Sequence, residues 1–295
     1  DRPRLLPTLL PYRRRNRAHQ GVRDLNDPPS HEAPGDDAKP TREEPTVNSI
    51  VCIKRVPDSE TRVRIASDGL AVDRSGVKFD MNEYDKYALE EAIRRKEEAG
   101  EGLVTVLTVG GDDARETLRQ ALAMGADEAV LLRAETGFDG LPVAVALAEE
   151  IRDRPFDLLL FGKQAIDDDG MQVPAMVAEL LGLPAATVVV SLEIEAGRAV
   201  ARREVEGGHE TVEFDLPGIV AAQKGLNEPR YPSLKGIMAA KKKPLEEKDV
   251  TLVEGGLELL ELSGPPDRPE PQILGEGAEA VPELVRRLRE EVKVL

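Results

Sequence analysis

Short apolar runs that stop at glycine, each handing over to a stretch of helical period, constrain this chain more than any other feature. The sharpest instance is residues 157–161, DLLLF. It runs into Gly162, a polar loop with three consecutive acids, and then a helical stretch reaching Leu181. Residues 103–109 end the same way in Gly110-Gly111, and residues 128–132 form a third run. Residues 49–56, β-branched and closed by Pro57-Asp58, read as one further buried strand. Helices lie between the runs: Glu83–Ala99 with Asn82 as cap and Gly100 as stop, residues 113–124 capped by Asp112 and ended by Gly125, and residues 141–151. Such alternation predicts an α/β fold, a doubly wound parallel sheet with helices on both faces. Ligands bind these sheets beyond the strand C-termini, where Gly110 and Gly162 lie.

The pattern changes after Leu183-Pro184. Residues 187–194, 199–205, 210–214 and 218–222 read as strands joined by short turns, which predicts antiparallel strands on the sheet edge. Residues 61–79 alternate around two glycine turns and predict a hairpin. From Asn227 regular structure lapses. Pro229, Pro232 and Pro244 forbid a long helix, and one last helix is expected at 281–292. Residues 1–47 are rich in arginine and then in proline and acid, with little to bury. A presequence, a disordered tail and a start placed too far upstream all suit them, the first least because no apolar helical face is visible. The expected division is an extension at 1–47, an α/β nucleotide-binding domain at 48–225, and an arm at 226–295 that wraps a partner.

Composition removes several function classes. A net charge of −16 opposes nucleic acid and anionic membrane as partners. No apolar run reaches spanning length, so membrane insertion is not expected. A lone cysteine, Cys52, forms no internal disulfide or cysteine metal cluster, and three histidines give no metal or triad constellation. His209 reads as a turn residue. Without tryptophan and with 3% aromatics, the chain cannot stack a large flavin face by itself. Any redox cofactor would draw most of its pocket from another chain.

A strand, a glycine turn and a helix start together frame the loop Gly162-Lys163-Gln164-Ala165-Ile166-Asp167-Asp168-Asp169-Gly170-Met171-Gln172-Val173. Free N–H groups there suit a nucleotide phosphate. The acids equally suit plain capping at a helix N-terminus. They repel a phosphate unless they point outward or Lys163 offsets them. Neither GxGxxG nor GxxxxGK[ST] occurs, so the residues leave both readings open. Lys241-Lys242-Lys243 reads as a solvated run or as a patch steering an acidic partner.

Several blocks in shared order carry a resemblance: VCIKRV at 51–56, ALAMGAD at 121–127, GKQAIDDD at 162–169, REVEGGHETVEFDLP at 203–217 and NEPRYPSLKGIMAAKKK at 227–243. Over residues 49–246 the chain resembles the β subunits of electron transfer flavoproteins. The resemblance implies an electron carrier, not an enzyme, paired with an α subunit that holds most of the FAD. It implies AMP in this subunit, and electrons taken from acyl-CoA or other primary dehydrogenases and passed to a quinone oxidoreductase. The cytoplasm of a bacterium, or the mitochondrial matrix of a eukaryote, is the compartment it implies. Carried across residue by residue, the Cys52 backbone lies by the adenine. Asn82, Tyr84, Asp85 and Gly110 line the same pocket, and the loop from Gly162 to Val173 holds ribose and phosphate. Residues 217–243 resemble a recognition loop with Leu234 as anchor, flanked by Arg230 and Tyr231. Glu204 resembles an acid tuning flavin-domain mobility, and Lys242 a position methylated in some members. Val173 replaces a phosphate-binding threonine, so only its N–H can serve. Tyr84-Asp85 resembles the branch whose β subunit binds its own FAD and bifurcates electrons, whereas the three aspartates favour AMP. A stand-alone nucleotide-binding regulator is a third reading.

Overall fold

A computed structural model describes residues 47–137, 139–264 and 270–295. The expected extension lies outside them apart from Val47, which packs in the core. The chain divides into two compact units, residues up to Thr61 with Gly76–Glu258, and Arg62–Ser75 with Leu259–Leu295.

The first unit is built on a nine-stranded sheet. In chain order its elements are β1 (Ser49–Cys52), β2 (Arg55–Pro57), β3 (Phe79–Met81), α1 (Glu83–Ala99), β4 (Val104–Gly110), α2 (Ala114–Met124), β5 (Glu128–Arg133), α3 (Gly140–Arg152), β6 (Leu158–Gly162), α4 (Val173–Leu181), β7 (Ala185–Glu195), β8 (Arg198–Val205), β9 (Gly208–Asp215), β10 (Gly218–Ala222), α5 (Leu234–Ala240) and β11 (Leu245–Asp249). The sheet order is β11-β5-β4-β1-β6-β10-β7-β8-β9, parallel from β11 through β7. Only β8 is reversed, pairing antiparallel with β7 and β9 at one edge.

Strand side chains alternate between two apolar layers. Val51, Val106, Leu131 and Leu160 meet α1 and α2 on one face. Ile50, Cys52, Leu107, Leu132 and Leu159 meet α3 and α4 on the other. Each fully buried leucine or isoleucine contributes about 1.5–3 kcal/mol. Burial on both faces explains why β1, β6 and β10 are continuous apolar runs rather than alternating ones.

Several expectations are corrected. The strand expected over 49–56 breaks after Cys52, because Lys54 turns its N–H to Asp85 and its carbonyl to the Asn82 N–H. β2 then pairs with β3 in a separate ribbon. The hairpin expected over 61–79 reduces to one bridge, Ile65 to Val72, with Asp68 and Asp73 closing turns onto backbone N–H groups. Neither Asn82 nor Asp112 caps a helix with its side chain, and Asp113 stands at the start of α2. β7 and β10 are parallel strands of the sheet body, with β10 between β6 and β7. The GIVAA of β10 is wholly buried and lacks the polar alternation of an edge strand.

Structure also persists beyond Asn227. Ser233 caps the short helix α5 through the Gly236 N–H at 3.0 Å. β11, LEEKD, lies on β5 because its charges are matched there. Glu247 meets Arg115 and Arg133, and Lys248 meets Glu150. Arg115 above all, with Arg133, draws the Glu247 carboxyl down to about 2.

The second unit holds a helix at Val281–Arg287, shorter than expected, continued by a wide turn at Leu288–Val292. Arg286 braces it against Glu283, Glu290 and Glu291.

Candidate functional site

The sheet reverses its winding between β1 and β6. From β1 the chain winds towards β4 with α1 and α2 on one face, whereas α3 and α4 flank β6 on the other. A crevice opens at such a point beyond the strand ends, where open α/β sheets take their ligands.

Asp85, in the first turn of α1, ties the crevice together. Its Oδ2 accepts the Lys54 N–H at 2.7 Å, and its Oδ1 accepts the Gly162 N–H at 3.0 Å and Asn82 Nδ2 at 2.9 Å. Asn82 also donates to the Gln164 carbonyl at 2.8 Å and accepts the Ile166 N–H at 3.1 Å. The residue expected to cap α1 thus binds the loop after β6 instead. α1 comes so near that a Cβ on Gly162 would lie 2.6 Å from Tyr84 Cβ.

Burial pushes the Asp85 carboxyl up to about 7, and the donors from Asn82, Lys54 and Gly162 restrain the rise. The folded chain therefore keeps this proton over a range where an unfolded aspartate, with its ordinary value of 3.8, has lost it. Stability is expected to fall as pH rises from about 4 to about 7, by up to about 4 kcal/mol, and to level off above. Denaturant titrations should show this slope and its loss in Asp85→Asn. An unchanged slope in the variant would reject the assignment.

The three aspartates are dealt with locally. Lys54 Nζ lies 2.9 Å from both Asp167 and Asp168. Burial alone would lower the proton affinity of this ammonium, but Asp167 and then Asp168 outweigh it and raise it. Gln164 donates to Asp169. Lys163, one of the two ways considered for relieving the acids, stands 4.9 Å from the centroid of the Tyr84 ring, a cation–π distance. Asp169 and Met171 adopt φ of 51° and 53°, on either side of Gly170. Left-handed non-glycine residues cost about 1 kcal/mol or more each and cluster at ligand sites.

α4 begins after this loop without a side-chain cap from Gln172, and with Pro174 in its first turn. Val173 Cγ2 would lie 3.1 Å from a Cβ on Gly140, so its side chain packs at the start of α3. Its N–H is what it can offer a ligand. The Cys52 side chain belongs to the α3–α4 core, where burial raises its thiol pKa. Gly110 ends β4, next but one to β6, and its carbonyl accepts the Ala134 N–H at 3.1 Å.

A second group sits on residues 227–243. Tyr231, Leu234 and Met238 are 93%, 83% and 72% exposed. The lysine run is not uniform. Lys241 and Lys242 face water, whereas Lys243 turns inward to the Leu122 and Ala126 carbonyls. Glu204, on β8, accepts from Gln223 Nε2 at 2.8 Å. His209 is the second residue of β9 and lies beside Arg202. Among the described residues no helix is long and apolar enough to cross a membrane.

The sequence reading missed the roles of Lys54, Thr108 and Glu90. Thr108 Oγ1 donates to the Ile53 carbonyl at 2.6 Å, fixing β4 beside the end of β1. Glu90 and Glu91 are buried, and their place between Ala88-Leu89 and Ala92-Ile93 was the available signal.

The electron transfer flavoprotein domain family matches residues 69–253. Electron transfer flavoprotein subunit beta of Bacillus subtilis is 44% identical over 260 residues, covering 84% of this chain and all of that protein. The mitochondrial subunit beta of Oryza sativa subsp. japonica is 39% identical over 256 residues, 83% of this chain and 99% of its own. Subunit beta of Sus scrofa is 38% identical over 253 residues, 83% and 97%.

Proposed function

The chain belongs to the electron transfer flavoprotein family as a β subunit, an electron carrier rather than an enzyme, and from that premise we propose that it holds AMP in the β1–β6 crevice and docks dehydrogenases through residues 227–243. The family works as a heterodimer with an α subunit and carries flavin. We assign most of the FAD pocket to the α subunit, because this chain has so few aromatic side chains. FAD supplies the electron chemistry when bound. This chain supplies the scaffold around it and the docking surface. Acyl-CoA or other primary dehydrogenases are the proposed donors and a quinone oxidoreductase the acceptor. The C-terminal arm, residues 226–295, is proposed to wrap the α subunit.

One observation carries the AMP assignment. Lys54 bridges Asp167 and Asp168 and offsets one of their two charges, which lessens their repulsion of a phosphate, beside a helix start that Gln172 leaves uncapped. A β subunit with its own FAD is the second reading, favoured by Tyr84 standing at the crevice with its ring under Lys163.

Purified heterodimer, denatured and analysed for released nucleotides, tests both. One AMP and one FAD per heterodimer are expected. Two FAD would select the second reading. Native material with no second polypeptide and no adenylate would overturn the proposal.

A further inference from the structure

The exposed residues of the proposed docking segment stand on a stretch fastened at both ends. Upstream, the half-buried Arg230 turns its guanidinium onto α1. Its guanidinium donates to Glu90 at 2.8 and 3.0 Å and to Glu97 at 2.6 and 2.9 Å, and its backbone N–H reaches Glu90 at 3.1 Å. Both acids lie on α1. Asn227 joins the same helix through the Tyr87 carbonyl and Glu91. In the middle, Gly236 presses on the Ala123 carbonyl so closely that a Cβ there would overlap it. Downstream, Arg119 of α2 donates to the Ala240 and Lys243 carbonyls at 2.6 and 3.0 Å, and Lys243 returns its ammonium to the end of α2.

We propose that Arg230 is a positioning residue: its fork onto Glu90 and Glu97 pre-sets Tyr231, Leu234 and Met238 on the surface, so that the docking segment meets its partner already ordered. This rests on the docking role proposed above. Side chains ordered before encounter do not have to be ordered during it, and that cost otherwise weakens association. Glu90 is buried and its hydrogen bonds run to Arg230 alone among those described, so the pair is charge-assisted and directional. Lysine cannot reproduce a planar fork reaching two carboxylates.

The test uses the purified heterodimer and an acyl-CoA dehydrogenase that reduces the wild type. Arg230→Met is expected to raise KM for the heterodimer about ten-fold while kcat stays within about two-fold. Arg230→Lys should fall between. Glu97→Gln, which removes one arm of the fork at an exposed position and leaves Glu90 paired, should move KM in the same direction and keeps the test sound if Arg230→Met folds poorly. Hydrogen exchange at residues 231–240 of the free heterodimer should quicken in each variant, with AMP and FAD content unchanged. Wild-type exchange at these amides, or a fall in kcat with KM unmoved, would overturn the inference. Leu234→Ala separates the two ideas. If it leaves KM unchanged, the docking role fails. If it raises KM while Arg230→Met and Glu97→Gln do not, docking stands and positioning by Arg230 fails.

Discussion

Gly162→Val is expected to destabilise the chain by about 3 kcal/mol or more and to abolish nucleotide retention. A Cβ at this position would lie 2.6 Å from Tyr84 Cβ and 2.7 Å from the Tyr84 carbonyl carbon, and would overlap Asp85 Oδ1. The helix cannot simply withdraw. Asp85 and Asn82 bind its first turn to Lys54, Gln164 and Ile166, so any retreat breaks several partly buried hydrogen bonds together. Gly162→Ala should shift in the same direction by less. Gly208→Ala is the control, since nothing lies within 4 Å of a Cβ there. Denaturant midpoints and released nucleotide, measured on the heterodimers, decide the matter. A Gly162→Val midpoint equal to that of the control would remove the close approach from the account of the site.

Leu234→Ala is expected to lower kcat/KM for reduction of the heterodimer by a dehydrogenase about 10- to 100-fold, the range of a binding hot spot. Leu234 is 83% exposed at the first turn of α5, so truncation takes almost nothing from the folded core. Thermal stability and AMP content should stay at wild-type values. A small interface needs an apolar anchor to give specificity with fast release, which suits a carrier that must leave its donor. Unchanged reduction kinetics would take this segment out of the electron-transfer pathway.

What was legible in the sequence follows from burial. β1, β4, β5 and β6 are covered on both faces, so each had to be a short, mainly apolar run, and the winding helices between them had to be amphipathic. Glycine at the ends of β4 and β6 likewise marked the ligand side of the sheet. The loop from Gly162 to Val173 stood out from its residue pattern, whereas Asn82 and Asp85 entered the site only through the family resemblance. β10 was read in the right place but in the wrong direction. Periodicity reports which faces are buried, and a strand's neighbours are not part of that signal.

β11 shows the opposite failure. LEEKD has no apolar pattern, and it becomes a strand only because Arg115, Arg133 and Glu150 stand opposite its charges. Those partners are about a hundred or more positions away in the chain. Arg230 and Glu90 are 140 residues apart, so no local pattern could have shown that this arginine is held by α1. The same distance in sequence hid the counter-ion of the aspartates: Lys163 is near them along the chain, but Lys54, 113 positions before Asp167, is near them in space.

Local sequence by itself determined the alternation of strands and helices and the glycine positions, because these depend on each residue's own size, polarity and backbone freedom. Only the tertiary structure decided strand direction, which charges neutralise which, and which polar side chains are consumed inside the fold. Coulombic and hydrogen-bonded pairs are set by distance in space, and the chain brings those partners together only when the sheet has formed.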